Sequence, residues 1–371
     1  MSKRIHGIDL ARALAIFGMV VVNFKLVMGA TTGSTLLISA SALFEGRAAA
    51  LFVILAGIGL ALSCRKAQHH TLLQKKQLQN KVAMRGILLL CLGLLYLPVW
   101  PADILHFYGC YFILASWLLF ASHRTLLVLC AVIVSTFPAL LLIIDYSQGW
   151  HWETLTYLEL WTPEGVLRRI FYNGFHPVFP WFALLLFGMW LGRQPLHQRT
   201  TQKRLFKVAL LVLILIESTF FLFRLMAQNA GMQGEEITFL LSTGPIPPLP
   251  QYLISAAASS VIVLIVCIRL AQSYHHTAVF RSLEATGKLS LTFYIAHILI
   301  GMGTLEALDM LGGQSIEHAL VSSLLFCLSS WLFATLWHRR FTQGPVEWLF
   351  RHLITRVETC STRIMRVNNT E

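Results

Sequence analysis

Lys and Arg in this chain gather in every second gap between long apolar stretches, and that alternation constrains the fold more than any single motif. Windows of about 17–22 apolar residues mark spanning helices. They fall near 10–28, 46–63, 83–99, 107–122, 124–144, 178–193, 205–226, 249–270, 288–308 and 318–338. Basic residues hold the N-terminus (Lys3, Arg4 and, at the helix boundary, Arg12), the 64–85 connection, the turn at Arg124, the 193–207 and 269–288 connections, and the C-terminal segment. The gaps between them carry acids instead: Glu45, Asp103, Asp145, Glu153, Glu159, Glu164, Glu235, Glu236, Asp309 and Glu317. Loops rich in Lys and Arg stay cytoplasmic. Both termini are therefore predicted inside, which requires an even number of spans, and ten satisfies it. The expected fold is an all-α polytopic bundle of about ten transmembrane helices, N-in and C-in. One membrane domain covers 1–350, and a polar cytoplasmic tail covers 351–371.

Composition excludes a soluble globular protein, because 56% of residues are hydrophobic and only 12% charged. A net charge of +12 raises the question of nucleic acid. Topology and anionic headgroups already explain basic cytoplasmic loops, so no nucleic-acid partner is expected. The first apolar stretch contains Asn23 and Lys25 and lacks a small-residue cleavage site, which marks a retained helix. The cysteines show no paired spacing and the histidines no His-x-x-x-His pattern, so no metal is expected. The polar 64–85 connection reads as a helical extension. In 145–177, Trp150, Trp152, Tyr157 and Trp161 read first as interfacial anchors and second as a surface for stacking a sugar. Pro163-Glu164 opens a short helix, and Pro245 to Pro250 form a stiff lead into the eighth span.

Ionisable and strongly polar side chains inside a bilayer are costly, so each is a candidate functional group. Asp9 and Arg12 are three apart and share a helix face. Asn23 lies eleven residues beyond Arg12, within about 20° of the same face and about 16 Å deeper. In the ninth span, Ser290, Tyr294, His297 and Gly301 form a second stripe, with His297 about 13 Å past Lys288. Both helices run outward from the inner side, so Asn23 and His297 are predicted at nearly equal depth, facing each other across a polar cavity in mid-membrane. Toward the outer end, Glu45 and Arg47 are expected to pair locally. Asp103 and His106 sit on a short hairpin, and His176 lies in HPVFPW. These five are the candidates for holding a substrate. Glu217 and Arg224, seven apart, are too far for a direct pair, and each needs a partner elsewhere.

Six strings then occur in order: RIHGIDLARALAIFGMVVVNF, FEGRAAALFVILAGIG, DILHFYG, HPVFPWFALLLFGMWLGR, GKLSLTFYIAH and FTQGPVEWLFR. Together they resemble the bacterial multipass proteins related to heparan-α-glucosaminide N-acetyltransferase, within the wider transmembrane acyltransferase group. The resemblance implies a cytoplasmic-membrane enzyme that takes an acyl group, acetyl first, from cytosolic acyl-coenzyme A. The acceptor would be a hydroxyl or amine of a glycan or envelope component at the outer face. It matches Arg4, Asp9, Arg12 and Asn23 to the family's first-helix pattern and His297 to its SLT-x-Y helix. Two departures stand out. Arg12 is followed by Ala13 rather than Gly, and no histidine lies between Asn23 and Glu45, where the eukaryotic enzyme has its proposed catalytic one.

The chemistry needs a base for the acceptor and donors for the developing oxyanion. His297 suits the first; the Asn23 amide or the Tyr294 hydroxyl suits the second. Arg4, Asp9 and Arg12, at the cytoplasmic mouth, are the candidates for holding coenzyme A, with the arginines on its phosphates. Expected partners are the bilayer, the acyl donor and the acceptor, with self-association open. Two other readings remain: a transporter using Glu217 and His297 as a proton relay, and a catalytically silent assembly protein.

Overall fold

The computed structural model describes residues 5–65, 67, 71–232 and 234–367, of which 235, 236 and 357–367 are described as backbone only. The chain is a helical bundle, and each of the ten apolar windows falls on a helix. In chain order these are α1 (Gly7–Val27), α2 (Thr35–Ala42), α3 (Arg47–Arg65), α4 (Leu72–Tyr96), α5 (Leu105–Leu118) and α6 (His123–Leu141). A two-stranded hairpin follows, β1 (Trp150–His151) with β2 (Thr156–Tyr157), and then α7 (Pro163–Arg168), which runs into a π-helical turn over Arg169–Asn173. Next come α8 (Val178–Gly192), α9 (Arg199–Asn229), α10 (Glu235–Leu240), α11 (Pro250–Tyr274) and α12 (Ala278–Lys288). The ninth window is α13 (Ser290–Ala296), a π-helical turn over His297–Met302, and α14 (Gly303–Ala307). Last are α15 (Ile316–Trp337) and α16 (Pro345–Val367), the latter enclosing the boundary placed at residue 350.

Among the described residues eight helices are long and apolar enough to cross a membrane, or nine if α7 with its π-turn and α8, bent by 44°, form one span. The remaining window is α5. Its 14 residues reach about 21 Å, short of the ~30 Å hydrocarbon core. Helix ends follow local rules. Thr71 and Gln74 form a reciprocal capping box that starts α4 within the polar connection, as a helical extension requires. Thr162 accepts from Gly165 N–H at 3.1 Å and starts α7 ahead of Pro163.

The basic connections meet at one end of the bundle. Gly7 of α1 lies against the backbone of Cys267 and Ile268 near the end of α11, and Gly287 of α12 lies against the Asp9 carbonyl, an approach that a Cβ would block. Arg193, after α8, donates to the Ala121 and Leu119 carbonyls after α5, at 2.6 and 3.1 Å. The opposite end is closed around α1 by Gly312 N–H on the Val27 carbonyl (3.0 Å) and by Ser34 N–H on Glu317 (2.8 Å).

Helix α1 is the axis, packed against α3, α11, α12 and α15. Helix α9 is peripheral, with Gln202 and Ala209 its only buried residues. Between α2 and α3 the apolar run is broken at 43–46, where Gly46 takes φ +67 against Pro245 and the Tyr252 hydroxyl. That backbone is non-helical inside an apolar segment. Membranes tolerate this where protein or a cavity, rather than lipid, meets the freed groups, and a cavity lies there.

Candidate active site

The cavity is about 370 Å³ and sits at the end away from the basic connections. Its wall comes from Met19, Asn23 and Lys25 of α1, Phe44 to Gly46 at the break, Phe175 and His176 before α8, Pro245 and Ile246, and Tyr294. The size suits a small-molecule ligand.

Asn23, on this wall, touches His297 directly rather than across a polar cavity, and His297 itself is absent from the lining. The Asn23 amide nitrogen is 2.9 Å from His297 Nε2, so the amide donates and Nε2 supplies the lone pair. His297 is fully buried and opens the π-helical turn. Such turns, with one extra residue in the ring, recur at functional positions because they free carbonyls and re-aim a side chain. The His297 ring also packs edge-on to Tyr294, with centroids 5.1 Å apart. Tyr294 continues the network. Its hydroxyl donates to Asp103 Oδ1 at 3.0 Å and accepts from Ile104 N–H at 3.0 Å. Asp103 Oδ2 in turn accepts from His106 N–H at 3.2 Å and lies 2.9 Å from His106 Nδ1.

Asp103 and His106, expected on an outer hairpin, are both fully buried. The reason is packing: Gly93 of α4 lets the backbone of His106 approach directly, which draws the start of α5 inward. Asp103 thereby becomes an internal prop for Tyr294, absent from the residues that face the cavity. His176 does face it, with Nδ1 buried and unpartnered and the ring against Trp181 at 4.7 Å.

Glu45 and Arg47 do not pair with each other. Residues two apart on a helix point to different faces, and the Gly46 turn separates them further. Lys25 reaches Glu45 at 2.7 Å on the cavity wall. Arg47 turns away to Glu217 at 2.5 Å, and Glu217 also accepts from Ser255 and from Thr243 (3.1 Å). Arg47 lies outside the cavity wall, and none of these partners belongs to it. Arg224 finds its own partner in the Leu241 carbonyl at 2.8 Å. At the basic end, Arg12 pairs with Asp9 at 2.9 Å. Arg4 lies outside the described residues.

Sequence reasoning gave no role to Arg169, which is buried at the start of the Arg169–Asn173 π-helical turn. It donates to the Pro101 carbonyl, sits over the Tyr157 ring at 5.9 Å, and feels the Asp103 charge. In the sequence it stands beside Arg168 at the head of IFYNGF and is visible only as an exception to the charge alternation. The aromatics of the 145–177 connection mostly hold one another. Trp150 stacks on Trp152 at 4.8 Å, and Tyr157 meets Trp150 edge-on at 5.2 Å. Trp161 stays exposed. The hairpin they form carries Leu155, at φ 51, over the cavity.

Residues 4–223, more than half of the chain, match the family described as "Heparan-alpha-glucosaminide N-acetyltransferase, catalytic". The chain belongs to that family. Residues 191–357 also match one described as "Protein of unknown function (DUF418)". No curated protein matches the chain. Asn23, Asp103, His106, Arg169 and His176 come from the acetyltransferase-matched segment, while Tyr294 and His297 come from the other. The Asn23–His297 contact joins the two. The chain is a multi-pass membrane protein of acetyltransferase type.

Proposed function

We propose that the protein transfers an acyl group, acetyl first, from cytosolic acyl-coenzyme A to a hydroxyl or amine of a glycan or envelope component on the far side of the membrane. The observation that carries this reading is the Asn23–His297 pair at the back of a cavity opening away from the basic end. A thioester approaching from the basic end and an acceptor entering by the cavity would meet at that pair.

In the step itself the acceptor oxygen or nitrogen attacks the thioester carbonyl carbon. The new C–O or C–N bond forms, the C–S bond breaks, and the acceptor proton passes through His297 to the departing thiolate. His297 is the base, its Nε2 lone pair released when the acceptor takes the place of the Asn23 amide. Asn23 then supplies a donor for the oxyanion. The Tyr294 hydroxyl proton is already committed to Asp103, so Tyr294 acts as a positioning residue rather than as that donor. Arg12, with Asp9 and Arg4, serves the coenzyme A phosphates from the cytoplasmic side. Bacterial cytoplasmic-membrane location with both termini inside belongs to the same proposal. So does the placement of Glu45 and His176 on the acceptor.

Proteoliposomes supplied with labelled acetyl-coenzyme A on the Arg12 side and glucosamine-type acceptors on the other should release labelled product. Transfer that needs both compartments supports the reading. Acceptor uptake without any donor dependence would replace it with transport. Normal transfer by His297→Gln, with loss in His176→Gln, would move the base to His176.

A further inference from the structure

A second cavity of about 450 Å³ lies beside the first, between α1, α3, α11 and α15. Phe44 and Ala48 line both. Elsewhere its wall is Leu14, Ala15, Phe17, Gly18 and Val21 of α1, Leu51 of α3, Val263 of α11, and Leu320, Leu324 and Cys327 of α15. Three serines also line it, yet they offer it no free hydroxyl proton. Ser259 and Ser260 both donate to the Ala256 carbonyl, at 3.0 and 2.7 Å, and Ser323 donates to that of Ala319 at 2.7 Å. The Arg47 guanidinium is tied to Glu217, which leaves its methylene stem to the groove. Leu14, Leu43, Phe44 and Leu324 on the rim are exposed on the apolar flank of the bundle.

This groove has nothing to hold a polar ligand and a continuous wall to hold hydrocarbon. It also adjoins the cavity that leads to Asn23, at the one break in the α2–α3 run. We infer that the acceptor is carried on a hydrocarbon chain, with its sugar or amine head in the first cavity and its chain passing Phe44 into the groove. The inference rests on the acyltransferase reading and narrows its substrate class to a lipid-linked acceptor entering from the bilayer.

The test compares methyl, octyl and dodecyl glucosaminides as acceptors for the full chain in nanodiscs, with wild type and Ser259→Phe. Ser259 is half-buried on the groove and touches none of the transfer residues. In wild type kcat/KM should rise with chain length. Ser259→Phe, which takes up the space of two or three methylenes, should lower it about 15- to 60-fold for dodecyl and leave methyl unchanged. Equal rates for all three chains, or equal losses in the variant, would overturn the inference while leaving the acyltransferase reading intact. If no acceptor is acylated, that reading falls, and cross-linking decides the groove alone. A dodecyl glucosaminide with a tail diazirine should label Val263 or Leu320 and be displaced by unlabelled dodecyl glucosaminide. Labelling that bulk phospholipid displaces equally well would mean ordinary bilayer lipid and would overturn the inference.

Discussion

Charge is kept in opposite ways at the two ends of the bundle. At the basic end cations are in surplus, and among the described residues Arg12 pairs with Asp9 and His6 with Glu284, each at 2.9 Å. At the cavity end the carboxylate of Asp103 is shut away from any surface and gathers Tyr294 and both donors of His106. Asp9 and Glu284 are buried too, but their cations Arg12 and His6 keep 29% and 43% of their side chains exposed. Removing either cation therefore admits water to its carboxylate, whereas Asp103, whose donors are enclosed, has no water to replace them. Loss of a donor to Asp103 should therefore reach the fold, and damage at the basic end should reach binding alone.

The largest effect is expected at His297. His297→Gln keeps a hydrogen-bonding group opposite Asn23 but removes the base, so transfer should slow by ~10²–10⁴ while thermal unfolding in detergent stays near wild type. Single-turnover rates with saturating donor would measure it. Normal rates would break the contrast at its centre, because the enclosed network would then be scaffold only.

Next is Tyr294→Phe, which deletes the hydroxyl bridging Asp103 and the Ile104 amide. Two buried groups lose a partner, each at a cost of about 1–3 kcal/mol of stability. Denaturant unfolding of the purified variant should show the loss, and an unchanged midpoint would mean that water reaches Asp103.

How far these residues were readable in advance follows from what periodicity can report. Helical spacing gives face and depth, so Asn23 and His297, each counted from a basic anchor, could be matched across 274 positions, and they meet at 2.9 Å. Spacing does not say which faces adjoin. The Tyr294–Asp103 and Arg47–Glu217 contacts depend on how α13, α5, α3 and α9 are arranged, and nothing local encodes that. The second window opens at Gly46, on the 43–46 break, but spacing could not show the turn itself: only the Gly46 backbone, pressed on Pro245 and Tyr252, shows why Glu45 and Arg47 leave it toward different partners. Both π-helical turns were equally silent, since an inserted residue leaves an apolar pattern apolar. The spans themselves were plain because lipid demands a minimum length of apolar helix and tolerates little else.

At the basic end Arg12→Ala should weaken acyl-coenzyme A binding about tenfold, the loss of one charge-assisted contact, with folded yield close to wild type. Isothermal titration with a non-hydrolysable donor analogue separates the two. Lost yield with unchanged donor affinity would make the Asp9–Arg12 pair a brace for α1, and the two ends would then differ less than their burial implies.

The smallest effect tests the rim between these extremes. Lys25 and Glu45 form a pair on the cavity wall with 18% and 39% of their side chains exposed. Glu45→Gln keeps the shape and removes one charge, so stability should change by less than about 1 kcal/mol, as for other solvent-reached pairs. Its consequence should appear in acceptor KM, because the Lys25 ammonium is then freed within the cavity where the acceptor head would sit. A shift of KM with kcat and unfolding midpoint unchanged would place the pair on the path of the acceptor. A loss of several kcal/mol of stability with KM untouched would instead make the pair a brace of the α2–α3 break, and charge at the cavity end would then serve the fold throughout.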